Sequence, residues 1–134
     1  MAGLTVNAFC SVSLDPPLVL VCIDHASRFH DIFAQAGFFA VNFLSAEQED
    51  LSACFAGNTE LRYQNFCNVT SRPVVTGAPV LDGCLGFVDC RVAATYPGGD
   101  HTIILGQVEA LGAGEGEPLL YYRSRYLRPG EGAQ

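Results

Sequence analysis

Residues 4–14 read Leu4-Thr5-Val6-Asn7-Ala8-Phe9-Cys10-Ser11-Val12-Ser13-Leu14. Leu4, Val6, Ala8, Cys10, Val12 and Leu14 fall on one side of a period of two; Thr5, Asn7, Ser11 and Ser13 fall on the other, with Phe9 out of step. Successive side chains of a strand point to opposite faces, so this alternation predicts a strand, or two strand segments, with one apolar face. Asp15-Pro16-Pro17 interrupts it with a turn. Leu18-Val19-Leu20-Val21-Cys22-Ile23-Asp24 follows as a continuous apolar run, the pattern of a strand covered on both faces.

Beyond this pair the signals alternate between helix and strand. Ser27 is placed to cap a helix over residues 27–36, with Phe29, Ile32, Phe33 and Ala36 as its apolar stripe and Gly37 as its stop. Residues 38–44 read as a strand. Ser45 with Gln48 three residues on is a capping-box pattern, and Glu47, Glu49 and Asp50 suit the positive end of a helix that stops near Gly57. Residues 58–79 show no period and are expected to be irregular, a length that is often functional. Residues 85–96 and 102–111 are two long strands joined by Pro97-Gly98-Gly99-Asp100, and residues 119–122 a short last one. The expected organisation is one mainly β domain over residues 1–127, a barrel or sandwich with a few helices, and a flexible tail over 128–134. No GxGxxG follows a strand, which disfavours a doubly wound dinucleotide fold.

The chain has 134 residues and a formal charge of -7, with all its basic side chains Arg. That balance argues against nucleic-acid partners. The longest apolar run is too short to span a bilayer, and no signal-like segment opens the chain, so no membrane is expected as a partner. Six cysteines admit disulfides by their even count, but several sit in apolar runs. The expectation is reduced thiols in a cytoplasmic protein.

Five features carry candidate chemistry. The polar side Thr5, Asn7, Ser11 and Ser13 offers small neutral donors and acceptors, suited to close contact with a polar ligand; alone, an ordinary half-exposed strand explains it better. Ser27-Arg28 lies where a strand gives way to a helix, a place for an anion, or equally for a plain cap beside a solvated Arg. His101, beside the Gly-rich connection, is placed to orient a ligand or to be an ordinary strand-edge residue. Cys22, Asp24, His25 and His30 are close in sequence but fit no zinc spacing, so no metal is expected. Tyr121-Tyr122-Arg123-Ser124-Arg125-Tyr126 reads as an aromatic strand packed on the core, or as an edge over a flat aromatic cofactor.

Taken in order, Gly3-Leu4-Thr5-Val6-Asn7-Ala8-Phe9, Ser11-Val12-Ser13-Leu14-Asp15-Pro16-Pro17-Leu18, Ser27-Arg28, Phe39-Ala40-Val41-Asn42-Phe43-Leu44, Pro79-Val80-Leu81-Asp82-Gly83, Gly99-Asp100-His101 and Leu120-Tyr121-Tyr122-Arg123 resemble the flavin reductase-like family, the small components of two-component flavin-dependent monooxygenases. The resemblance covers nearly the whole chain. It implies an FMN-binding split barrel, a homodimer with flavin near the subunit interface, and NAD(P)H:flavin oxidoreductase activity that supplies reduced FMN or FAD to a partner oxygenase. NADH or NADPH would be the hydride donor. Thr5, Val6, Asn7, Ala8, Ser11, Val12 and Ser13 would line the flavin ring and ribityl chain. Cys22, Ile23 and Asp24 would pass beside it, and Ser27 and Arg28 would hold the phosphate. His101 would orient the nicotinamide side as the one catalytic candidate, with Tyr122 and Arg123 as further cofactor contacts. Two departures stand out: the family usually carries a helix and a strand before the Gly3-Leu4-Thr5 segment, so the barrel is expected without them, and Phe29 stands where the family commonly has Thr. The alternatives to a reductase are a flavin-binding module without turnover and an inactive truncated domain.

Overall fold

The computed structural model of the chain describes residues 1–131. Its elements run β1 (Phe9–Leu14), β2 (Pro17–Asp24), α1 (His30–Gln35), β3 (Phe38–Phe43), α2 (Glu49–Ala56), α3 (Glu60–Asn65), β4 (Ser71–Arg72), β5 (Val80–Leu81), β6 (Gly86–Gly98), β7 (His101–Ala113), β8 (Leu120–Tyr122) and β9 (Arg125–Leu127). Five strands form one antiparallel sheet in the order β1-β2-β7-β6-β3. The expected mainly β architecture is what forms. β6 and β7, 13 residues each, are its longest strands; their register shifts between Asp89 and Cys90 and between Val92 and Ala94, irregularities that bend and twist a long hairpin.

One face of the sheet is the main core. Val19, Val21 and Ile23 of β2 point into it with Ile104 of β7, Cys90 of β6 and Phe39 of β3, and Leu4, Phe9 and Phe33 pack on them. Each such aliphatic side chain contributes about 1.5–3 kcal/mol when fully buried. Gly106 is required here, because a Cβ at that position would lie 2.5 Å from the Phe39 ring and 2.9 Å from the Cys90 side chain. A second cluster, Phe55, Phe66 and Leu81, lies under α2 and α3. Asp89, fully buried, accepts hydrogen bonds from the amides of Val75 and Thr76 and from the Thr76 hydroxyl, which fixes the loop before β5.

Several expectations are corrected. The first strand begins at Phe9, and residues 4–8 are outside regular structure. Its faces are also inverted: Phe9 lies opposite Val21 and packs on the core, while Val12, at a shift of register between Ser11 and Ser13, and Leu14, at the turn into β2, are exposed. β2 is covered on one face only, with Leu18, Leu20 and Cys22 half-buried on the other. Ser27 does not cap α1, which starts at His30, and Ile32 faces solvent. Residues 58–79 hold α3, a following turn and β4. The capping box forms as expected, with the Ser45 amide donating to Gln48 Oε1.

The C-terminal strand has a partner that the sequence did not announce. Arg123 and Ser124 take left-handed backbone (φ 52 and 60) and close a tight turn into β9 without glycine. Arg128, where the tail was expected to begin, donates to Glu47 at 3.1 Å, and residues 132–134 of that tail lie outside the described residues. The expectation of six reduced thiols is also corrected: Cys54 on α2 and Cys67 after α3 are joined by a disulfide, because the chain folds back on itself between them.

Candidate functional site

Three segments meet beside α2 and α3. The first is residues 3–8. Gly3 seats against Phe55 and Phe66 so closely that a Cβ would lie 2.7 Å from the Phe55 ring. Leu4 packs on the sheet core, and the Thr5 hydroxyl donates to the Ser52 carbonyl at 2.7 Å. Ser52 Oγ lies 2.9 Å from the Tyr126 hydroxyl, which ties the C-terminal hairpin to the same place. Among the described residues, the amides of Thr5, Val6, Asn7 and Ala8 find no protein acceptor, and Thr5, Val6 and Asn7 are exposed. A run of unsatisfied amides is a ready edge for a polar ligand.

The second segment is the turn from β2 to α1. Asp24 accepts from the Ala26 amide at 2.8 Å, and Ser27 Oγ accepts from the Phe29 amide at 3.4 Å. These bonds hold Ser27 and Arg28 at the mouth of a cavity of about 360 Å³. Its other walls are Asn58, Arg62 and Tyr63, from the third segment around α3. The Arg28 guanidinium lies 4.2 Å from the Tyr63 ring centroid, and the Arg62 guanidinium lies 5.2 Å from that of Phe29. Phe29, the departure from the family's Thr, stands behind that lining: its ring meets Tyr63 edge-on, with 5.5 Å between the centroids.

Arg62, Asn58 and Tyr63 were missed by sequence reasoning. The one signal was the long aperiodic stretch, in which a buried Arg cannot be told from a solvated one. Two guanidiniums and a serine hydroxyl around a cavity, with no acid in its lining, form an electropositive seat for a phosphate or a similar anion.

His101 stands apart from that cavity. Register places Thr102 with the core face, alongside Ile104, and His101 with Ile103 and Leu105 on the opposite face. His101 Nδ1 lies 2.7 Å from Asp100 Oδ1. A carboxylate only accepts, so Nδ1 carries the proton and Nε2 is left to meet a ligand. The hydrogen bond from His101 is the main reason that the Asp100 carboxyl sits below its ordinary range. His25 and His30 come together through Thr102, whose hydroxyl lies 3.1 and 2.7 Å from their Nε2 atoms. Ile23 is a core residue, 3% exposed, paired with Thr102 of β7, and does not line the cavity. Cys22 is half-buried on the second face of the sheet, and Ser11 and Ser13 lie on the edge strand β1. Tyr122 is exposed with Arg123 stacked on its ring at 5.6 Å.

The chain is similar to known proteins in sequence and in fold. A family model described as the flavin reductase like domain matches residues 1–130. The chain is 38% identical over 127 residues to the reductase subunit HsaB of a flavin-dependent monooxygenase from Mycobacterium tuberculosis, covering 92% of this chain and 66% of that protein. It is 43% identical over 119 residues to the FMN reductase (NADH) SmoA of Agrobacterium fabrum, covering 89% of this chain and 66% of the relative. The chain thus spans just under two thirds of the length of these relatives. Among solved structures, the Streptomyces globisporus NADH:FAD oxidoreductase SgcE6, in complex with NAD and FAD fragments, superposes with a TM-score of 0.89 at 34% identity, over 99% of this chain and 80% of that one. The flavin reductase PheA2 gives 0.87 at 35% identity, over 97% and 82%. With residues 1–130 matched, this chain belongs to the flavin reductase-like family.

Proposed function

We propose that this chain is an NAD(P)H:flavin oxidoreductase that takes hydride from NADH or NADPH to FMN or FAD and supplies reduced flavin to a partner monooxygenase. The observation that carries the reading is the continuity between a two-arginine anion seat and a run of four unsatisfied amides on the next segment. A flavin mononucleotide needs such a pair: a phosphate seat at one end and hydrogen-bond donors along the polar edge of a ring at the other. The bound flavin supplies the hydride-accepting chemistry.

The protein's part is to bind and align. Ser27 and Arg28 hold the phosphate. Thr5, Val6, Asn7 and Ala8 donate along the ring edge, with Ser11, Val12 and Ser13 beyond them. Cys22, Ile23 and Asp24 pass alongside. His101, held by Asp100, orients the nicotinamide, and Tyr122 and Arg123 close the outer side. Aligning two rings needs no acid–base pair, which accounts for a site built of amides, hydroxyls and guanidiniums.

The same reading makes the chain a homodimer of the cytoplasm. Its support is the second face of the sheet, where register lines up Cys10, Leu20 and Leu105, and next to them Cys22, Ile103 and Tyr96. A sheet face of that composition suits a second copy, and it carries His101. The domain over 1–127 belongs to the same proposal.

Titration with FMN, followed by NADH and then NADPH under exclusion of oxygen, tests the activity. Binding followed by bleaching of the flavin absorbance by at least one nucleotide is expected. Binding without bleaching by either would leave a flavin-binding module, and the absence of binding would remove the functional reading.

A further inference from the structure

We propose that Arg62 is an anion-operated clasp: a phosphate in the cavity beside it fixes the guanidinium, and the guanidinium in turn fixes residues 3–8 in the ligand-lining position. The inference rests on reading this cavity as the flavin's phosphate seat, and it assigns a positioning role to a residue outside the Ser27-Arg28 pair.

Arg62 is 8% exposed. Its Nε and Nη2 donate to the Gly3 carbonyl at 3.2 and 3.1 Å, and Nη1 donates to the Gly57 carbonyl at 2.7 Å. A guanidinium has five N–H donors, so two remain. Among the described residues neither has an acceptor, and no carboxylate pairs with the charge. Burying a cation without a counter-ion is costly, and the faces of Phe29 and Tyr63 at 5.2 and 5.3 Å offset only part of that cost. The side chain also lines the cavity that Ser27 and Arg28 open onto. A dianion there satisfies the remaining donors and supplies the missing negative charge.

The geometry separates two tasks. Arg28 is exposed, with its guanidinium over the Tyr63 ring, so it captures the anion. Arg62 reaches the other way, onto Gly3, two residues before Thr5. Gly3 has little freedom to move sideways between Phe55 and Phe66, so the fork on its carbonyl sets the path of residues 4–8. Phosphate binding and ring binding are thereby coupled through one side chain.

The test uses the full chain with inorganic phosphate as probe, against chloride of equal ionic strength. Amide hydrogen exchange of residues 3–8 and the thermal midpoint are read together. At saturating phosphate, exchange in this segment is expected to slow roughly fivefold or more, the usual scale of coupling between sites. Arg28→Gln is expected to raise the phosphate concentration needed while keeping the same plateau of protection. Arg62→Gln is expected to lose the protection at any phosphate concentration. If Arg62→Gln does not fold, Arg62→Lys decides: it keeps the charge but not the fork, so the midpoint should still rise with phosphate while the segment gains no protection. Full protection in Arg62→Lys, or no phosphate effect in the parent chain, overturns the clasp. Flavin reduction on the same samples reads the parent proposal separately. Activity lost with the phosphate response intact removes the reductase and leaves the clasp. Riboflavin bound and reduced as well as FMN, with phosphate inert, does the reverse.

Discussion

The sheet formed by β2, β7, β6 and β3 and the clasp region formed by residues 3–8, α2 and α3 are held together in different ways. In the sheet each central strand is paired on both sides, and Ile104, Cys90 and Phe39 fill one continuous core. Removing one contact leaves its neighbours in place. In the clasp region single atoms hold whole segments: the Arg62 fork on Gly3, the Thr5 hydroxyl on Ser52, the Ser52–Tyr126 pair and the Cys54–Cys67 bond. Residues 5–8, proposed to line the flavin, belong to the second kind. Segments held by few contacts are those whose order a ligand can change, so stability and ligand response are divided between the two regions.

The largest effect that probes this division is Gly106→Val. The new side chain would start 2.5 Å from the Phe39 ring, in the most redundant part of the sheet. A loss of about 3 kcal/mol or more is expected in denaturant titration. A loss near zero would mean that Phe39 can leave its place and that the sheet is no stiffer than the clasp. Next in size is Cys54→Ser. It opens a closure between positions 13 residues apart, worth up to about 3 kcal/mol in a loop of that length. Hydrogen exchange is expected to quicken in α2 and α3 while β2, β6 and β7 keep their protection, and FMN is expected to bind more weakly. A uniform rise across both regions would show one cooperative unit and erase the distinction.

The same division explains what the sequence made legible. The sheet follows from local period and composition: the long hairpin, β2 and β3 are each marked by apolar residues with glycine or proline at their ends. The first strand was legible as a strand but not in its faces: Phe9, out of step with the alternation, lies opposite Val21 on the core, and the register shift at Val12 breaks the period before Leu14, which is exposed at the turn. Capping chemistry was legible at Ser45, where a glutamine supplies the reciprocal bond. The same reasoning failed at Ser27, whose hydroxyl closes a turn one step before α1. The clasp was not legible at all. Arg62, Asn58 and Tyr63 lie in a stretch without period, and Phe66, Cys67 and Asn68 follow with three left-handed residues and no glycine to announce them. Their placement depends on α3 folding back against α2, a tertiary fact with no signature in local spacing. Ser27 and Arg28 were singled out by family resemblance and by position after a strand; their partner across the cavity was not.

The smallest expected effect belongs to the tip of the β6–β7 hairpin, which the sheet builds and whose His101 is proposed to orient the nicotinamide. The Asp100 carboxyl is held below its ordinary value of 3.8, first by the hydrogen bond from His101 and then by that residue's charge. A depressed acid adds stability above its unfolded value and loses it as pH falls through the lower folded one, so the contribution is complete at neutral pH. Asp100 is fully exposed, and solvent screens the pair. Asp100→Asn is therefore expected to leave the thermal midpoint at pH 7 unchanged within error. Its effect should fall on turnover instead. An amide in place of the carboxylate no longer selects the tautomer with the proton on Nδ1, and the ring loses its fixed orientation, so kcat should drop by on the order of tenfold while the FMN dissociation constant holds. A fall in midpoint with kcat unchanged would assign the pair to the sheet alone, and His101 would lose its place as the orienting group.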